Sequence, residues 1–265
     1  MKEIGIKYRR GHRLDVALST NMPLALVFLP ASDIAKYVDK GNVDIGITGM
    51  DIVEESSADV NILAHLGFGK CQLCVQAPVS SKIKDVKDLS GKRIVTSFTN
   101  LAEKYFRDLE GGELTTKVSH VSGSVEAACA LGLADGIVDL VETGETMRAA
   151  GLEIISLIMD TQTVLIGNKH TTHQDLIDIL QTRIKGVITA GLYSSMEYNI
   201  PADKLAEACK ITPGMTSPTV AHLSDENWLA VKVMIKKPEV NDIMDRLENI
   251  GATNIMVLEI QNCRM

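Results

Sequence analysis

No apolar run in this 265-residue chain approaches the roughly 20 residues of a membrane span. The opening Met1-Lys-Glu-Ile-Gly-Ile-Lys-Tyr-Arg-Arg also lacks the hydrophobic stretch of a secretory signal, so a cytoplasmic location is expected. Basic tracts are missing as well. With a formal charge of −7, nonspecific binding to nucleic acid or to an anionic membrane is not expected, and anionic ligands must be held locally. Cysteine is scarce: five residues, an odd number at no framework spacing, read as reduced thiols. Cys71 and Cys74 fall in a strand-like run, where residues three apart point to opposite faces, which argues against a bridge or a chelate. The six histidines show no ligand pattern, and His170 and His173 sit in a polar stretch, so no protein-bound metal is expected.

What the chain does contain is concentrated in Asp135-Gly-Ile-Val-Asp139-Leu-Val-Glu142-Thr143-Gly144-Glu145-Thr146. Ile137, Val138, Leu140 and Val141 supply the apolar run of a strand covered on both faces. Gly144 lets the backbone turn sharply and present its N–H groups to an anion, and a helix from Met147 points its first amides the same way. Thr143 and Thr146 add hydroxyls. Asp139 and Glu142 repel a bare phosphate, so they fit best as acceptors for sugar hydroxyls or as partners of a Mg²⁺-masked anion. The alternative is an ordinary strand-to-helix turn with solvated acids.

At 45% hydrophobic content the chain can bury two or three cores, on a prior of roughly 100–200 residues per domain. Apolar runs alternate with amphipathic stretches: Leu14–Leu18, Leu26–Leu29, a helix over Ser32–Lys40 capped by Ser32, and a strand over Val43–Ile47. A second alternation places a strand at Arg93–Ser97, helices at Leu101–Leu109 and Ser124–Leu131, and the strand Gly136–Val141. The two halves echo each other. Gly41-Asn-Val-Asp44 with Thr48-Gly49 parallels Gly132-Leu-Ala-Asp135 with Thr143-Gly144, which predicts two α/β lobes with a shared cleft at their strand ends. The helix Asp175–Ile184 connects to a tail read as strand Leu192–Ile200, helix Pro201–Cys209, strands Thr219–Leu223 and Trp228–Ile235, helix Pro238–Ile250 and strand Ile255–Ile260. That order, βαββαβ, is ferredoxin-like.

Together, Gly46-Ile-Thr-Gly49-Met-Asp51, Glu126, Asp139-Leu-Val-Glu-Thr-Gly-Glu-Thr146-Met and Ser217-Pro-Thr219 resemble the long, histidine-regulated form of the ATP phosphoribosyltransferase family, most closely its fungal members. The likeness runs from about Arg13 to Asn262-Cys263-Arg264. It implies an α/β fold with a two-lobed, periplasmic-binding-protein-like catalytic region. Residues 1–75 and 162–188 form the first lobe, 76–161 the second, and 189–265 a regulatory domain. It also implies the first step of histidine biosynthesis, in which N1 of ATP attacks C1 of phosphoribosyl pyrophosphate (PRPP) and releases pyrophosphate. Histidine is then the feedback inhibitor, Mg²⁺ accompanies the substrate phosphates, and the assembly is a homohexamer.

No catalytic side chain is required, because adenine N1 carries no proton to remove and the work is positioning and electrostatics. The resemblance assigns Thr143, Gly144, Glu145 and Thr146 to the 5-phosphate cradle, and Asp139 and Glu142 to the ribose or Mg²⁺. Thr48, Gly49, Asp51 and Glu126 become further substrate contacts, and the turn from Thr96 to Asn100 a polyphosphate contact. Asn100-Leu-Ala-Glu103 reads equally well as a helix cap. Thr219, Asn199, Met234 and Asn254 match effector positions, with Asn199 standing where the family carries an aspartate.

Two other readings share the two-lobed plan: a noncatalytic small-molecule binding protein, and a regulatory subunit that has lost catalysis. The family carries a strand and a Lys-Gly-Arg-Leu turn ahead of the segment matching Arg13–Ser19, and this sequence starts after them. Arg9, Arg10 and Arg13 are candidates to replace part of that charge, though a disordered start is the simpler expectation. Weakened or absent turnover by this chain alone is the resulting expectation, measured as steady-state pyrophosphate release.

Overall fold

The computed structural model describes residues 2–12 and 14–264; Arg13, one of the three arginines named above, lies outside the described residues. The elements in chain order begin with β1 (Val16–Leu18), β2 (Ala25–Val27), α1 (Ala31–Asp39), β3 (Ile45–Gly49), α2 (Met50–Ser56) and β4 (Asn61–His65). Next come β5 (Cys71–Pro78), β6 (Arg93–Thr96), α3 (Thr99–Leu109), β7 (Lys117–His120), α4 (Ala127–Ala130) and β8 (Gly136–Val141). They continue with α5 (Glu145–Ala149), β9 (Leu152–Thr161), β10 (Thr163–Gly167), α6 (Gln174–Leu192) and β11 (Tyr193–Pro201). The last are α7 (Leu205–Ile211), β12 (Thr219–His222), β13 (Trp228–Lys236), α8 (Val240–Asn249) and β14 (Thr253–Glu259). Two compact units result, residues 27–174 and residues 1–26 with 175–265.

The first unit contains two sheets, ordered β3-β10-β4 and β7-β6-β8-β5-β9. The strands β6, β7 and β8 run parallel, and β5 lies antiparallel to β8 and β9. Each sheet buries its own core. Val38, Val53, Val164 and Ile166 close the smaller one. Leu73, Val75, Ile94, Phe106 and Val138 fill one face of the larger, while Val95, Ile137 and Leu152 fill the other. With both faces covered, β8 has no polar alternation until Asp139, which is why it reads as a continuous apolar run.

The expected echo holds in the backbone as far as the acid. Gly41 and Gly132 both sit in the left-handed region, at φ 72° and 70°. After it the halves diverge, because Gly49 is extended (φ −76°) and leads directly into α2, whereas Gly144 is left-handed (φ 74°). The two acids tie elements together. Asp44 accepts Thr171 Oγ1 at 2.6 Å, and Asp135 receives a two-pronged bond from Arg93 at 2.9 and 3.1 Å.

Three local expectations need correction. Ser32 does not cap α1, which begins at Ala31 after Pro30, whose ψ of 142° sets the non-helical entry. The helix expected over Ser124–Leu131 shrinks to Ala127–Ala130, because Gly123 (φ 82°) and Ser124 (φ 48°) turn left-handed and Gly132 stops the other end. The connecting helix runs on to Leu192, well past Ile184.

In the other unit the tail strands follow the ferredoxin-like order β12-β13-β11-β14, all antiparallel, with α7 and α8 covering one face over Met196, Tyr198, Ile200, Leu229 and Val231. Helix α6 serves as a spine for both chain ends of this unit. Arg183 donates to the Ile4 carbonyl at 3.2 Å, and Cys263 N–H donates to the Gly186 carbonyl at 3.1 Å. A β-carbon at Gly186 would come within 2.5 Å of Asn262 Oδ1 and 2.9 Å of the Cys263 carbonyl oxygen. Gly186→Ala is therefore expected to lower stability by roughly 1–3 kcal/mol through overpacking, measured as a drop in Tm with faster proteolysis of the C-terminal residues.

Candidate active site

The two sheets of residues 27–174 are joined by two strand connections, β4 to β5 and β9 to β10. Beside them lies a cavity of about 410 Å³, lined by Met50, His65, Lys70, Cys71, Gln72, Val141, Glu142, Asp160, Thr161 and Gln162. Met50 opens α2, immediately after Thr48-Gly49. Glu142 follows β8, immediately before Thr143-Gly144. The residues adjoining the two Thr-Gly turns thus meet in one cleft, at the carboxyl ends of β3 and β8.

On the β8 side, Glu142, Thr143, Glu145 and Thr146 are exposed, and Gly144 is buried beneath a neighbouring side chain. That neighbour is Arg148, whose Nη2 donates to the Thr143 carbonyl at 3.0 Å and whose Nη1 would lie 2.7 Å from a β-carbon at Gly144. Glu145 N–H reaches Thr143 Oγ1 at 3.4 Å, and Met147 packs into the core with Val95 and Ile137, anchoring the short helix. Asp139 is half-buried, and its Oδ1 accepts the Leu140 N–H at 2.8 Å. Burial pushes its pKa up and the charge of Glu126 adds to the rise, against the Leu140 bond, which lowers it. Glu126 stands just before α4 and forms no cap bond of its own among the described residues. The charge of Glu126, from a separate segment, thus acts on Asp139 across the strand end.

On the β3 side the side chains turn inward. Thr48 is 4% exposed and donates to the Ala31 carbonyl at 3.2 Å. Asp51 is 5% exposed; its N–H donates to Thr161 Oγ1 at 3.0 Å, and that hydroxyl donates back to Asp51 Oδ1 at 2.8 Å. A side chain at Gly49 would collide with the Asp51 carboxylate, so glycine is required there for steric room rather than for its φ. Thr96 is fully buried, donates to the Val138 carbonyl at 2.7 Å and accepts the Phe98 N–H at 2.9 Å.

Asn100 does not cap α3. The helix starts at Thr99, its preceding residue Phe98 makes no side-chain cap bond among the described residues, and the Asn100 and Leu101 amides are taken by Glu55. The local pattern Asn100-Leu-Ala-Glu103 could not reveal a cap 45 residues away. Glu55, Thr161 and Gln162 escaped sequence reasoning for that reason, their partners being distant in the chain, and Lys70 is known only from its place in the cavity lining. The Cys71 thiol, inside the cleft, is held protonated by burial and by the charges of Asp51 and Glu142.

In the tail, strand register places Thr219 opposite Lys232, Asn199 opposite Ala230 and Met234 opposite Ser195. All lie on the sheet face away from α7 and α8, where Glu197 and Lys232 pair at 2.8 Å. Asn254 is at φ 51°, in the bulge where β14 places Asn254 and Ile255 against Tyr198; asparagine tolerates that conformation better than most side chains.

Comparison with known proteins identifies the family of the chain. Residues 30–186 match the family model described as ATP phosphoribosyltransferase, and residues 190–262 match the model described as HisG, C-terminal domain. An ATP phosphoribosyltransferase of Yarrowia lipolytica is 51% identical over 268 residues, covering 100% of this chain and 90% of the relative. That of Saccharomyces cerevisiae is 51% identical over 264 residues, covering 98% and 89%. The solved ATP phosphoribosyl transferase (HisG:HisZ) complex from Thermotoga maritima superposes with a TM-score of 0.60 at 25% identity, covering 69% of this chain and 90% of that one.

The raised Asp139 pKa has a stability consequence. Its folded pKa lies above the unfolded one, so the native state takes up the proton more readily, and ionisation destabilises the fold as pH rises through the folded value. Asp139→Asn keeps the Oδ1 acceptor for Leu140 and removes the charge. It is expected to raise Tm at neutral pH, with the advantage shrinking as pH falls below the folded pKa, measured by thermal unfolding across a pH series.

Proposed function

The chain belongs to the ATP phosphoribosyltransferase family, and on that premise we propose that the cleft between its two sheets carries phosphoribosyl transfer from PRPP to N1 of ATP. The observation that carries this reading is the single cavity that Met50 of α2 and Glu142 after β8 both line. The lone pair of adenine N1 forms a bond to C1 of the ribose. The C1–O bond to pyrophosphate breaks, and pyrophosphate leaves with that electron pair. Positive charge develops on the sugar and negative charge on the leaving group, so acids near the ribose and donors near the phosphates favour the transition state.

Thr143, Gly144, Glu145 and Thr146 hold the 5-phosphate through backbone N–H and hydroxyl groups, supported by the left-handed turn at Gly144. Asp139 and Glu142 accept ribose hydroxyls or touch Mg²⁺ that enters with PRPP, a cation that commonly combines one or two carboxylates with substrate phosphates. Glu126 shares this role, supported by its electrostatic effect on Asp139. Thr48, Gly49, Asp51 and Thr96 shape the walls from behind.

The functional division is a first lobe over 1–75 and 162–188, a second over 76–161 and a regulatory domain over 189–265; the passage from β9 to β10 after Thr161 supports one of its boundaries, while β5 belongs wholly to the larger sheet. Histidine binds the open face of the tail sheet near Thr219, Asn199 and Met234, with Asn254 at its edge. Exposed Met256, Val257 and Leu258 on β14 favour further assembly, for which a hexamer is the proposed form. Among the described residues no helix is long and apolar enough to cross a membrane, consistent with work in the cytoplasm.

Magnesium-dependent pyrophosphate release from ATP plus PRPP tests the reading. Gly144→Ala forces a β-carbon against Arg148 in a left-handed backbone, and is expected to lower kcat/KM for PRPP by about tenfold or more. Tight binding of both substrates without any pyrophosphate release would favour a binding protein instead.

A further inference from the structure

Helix α2 is the wedge between the two sheets of residues 27–174. Its Ile52 packs against the core of each. Asp51 and Glu55 stand four residues apart, hence on one helical face. Asp51 is bonded to Thr161, on the strand leading from one sheet to the other. Glu55 reaches across to α3: its Oε1 accepts Asn100 N–H at 3.0 Å and Thr99 Oγ1 at 3.3 Å, and its Oε2 accepts Leu101 N–H at 2.9 Å. Asn100 Nδ2 returns a bond to the Glu55 carbonyl at 2.8 Å.

A helix start leaves four amides without intrahelical partners and carries partial positive charge. Here a carboxylate from the other lobe satisfies two of them. The lobes are thus tied at two places, at the strand connections and at this contact. Met50, five residues before Glu55 on the same helix, forms a wall of the cavity, so the contact with α3 and the cleft wall lie on one rigid element.

We infer that Glu55 is a positioning residue for phosphoribosyl transfer: its carboxylate latches α2 to the start of α3 and sets the cleft, so the α3 amides serve the latch rather than a polyphosphate. This rests on the transferase reading above. Displacement of reacting groups by about 1 Å can cost a hundredfold in rate, so a remote tie of this kind has a kinetic signature.

The test uses the full chain with Glu55→Ala, the milder Glu55→Gln, and Glu54→Gln at the exposed neighbouring position as a control. Hydrogen exchange at the Asn100 and Leu101 amides is expected to quicken by about tenfold or more in Glu55→Ala, as a lost cap opens the first turn. KM for both substrates rises, kcat/KM falls roughly 10- to 100-fold, Glu55→Gln lies between, and Glu54→Gln is unchanged. A lower Tm with unaltered KM values would make Glu55 merely structural and overturn the inference. So would unaltered amide exchange. Stronger binding of inorganic pyrophosphate by Glu55→Ala, with protection of the Asn100 and Leu101 amides, would instead reveal a phosphate site that Glu55 blocks. If the unaltered chain neither releases pyrophosphate nor binds PRPP in the presence of magnesium, the transferase reading fails on its own. Amide exchange, with a spin-label distance across the cleft that must widen in Glu55→Ala, then decides the latch separately.

Discussion

Burial of the Asp51 carboxylate beside the strand connection is the constraint around which the catalytic unit is arranged. A buried carboxylate is costly unless hydrogen-bonded, and here a single hydroxyl, Thr161 Oγ1, both accepts from the Asp51 N–H and donates to its side chain. The arrangement requires glycine at position 49, places Met50 at the cleft and points α2 toward the second sheet. Glu55 follows on the same face. One short helix thereby joins two cores that are also linked by their strand connections. Among the described residues no buried side-chain nitrogen or oxygen is left without a partner, so this tie is fully satisfied.

The opposite side of the cleft has the reverse character. Around Gly144 the polar residues are exposed rather than paired inward, and Asp139 is kept half-buried beside Glu126 at an electrostatic cost. Exposed polar groups remain available to a ligand, while inwardly satisfied ones hold the architecture. The contrast separates Thr143 and Thr146 from Thr48 and Thr96, although all four are threonines near strand ends.

Much of this was legible along the chain because it depends on neighbours in sequence. The apolar run of β8, the left-handed glycines at 41, 132 and 144, and the βαββαβ order of the tail follow from local periodicity and turn chemistry. The misreadings have two causes, one distant and one local. Asn100 looked like a helix cap because its local pattern permits one, but the amides went to Glu55, 45 residues away. Ser124 was placed in a helix because the apolar spacing allows it, but the left-handed backbone at Gly123 and Ser124 forbids a helix before Ala127.

Sequence alone determined the fold class, the family and the phosphate-suited turn, since each is encoded in contiguous residues whose spacing acts within one or two elements. Which carboxylates are locked by partners from distant segments was decided only by tertiary structure. A carboxylate's role depends on the donors that packing brings to it: Asp51 meets Thr161 across 110 residues, and Asp139 meets no donor but its own neighbour's amide among the bonds described.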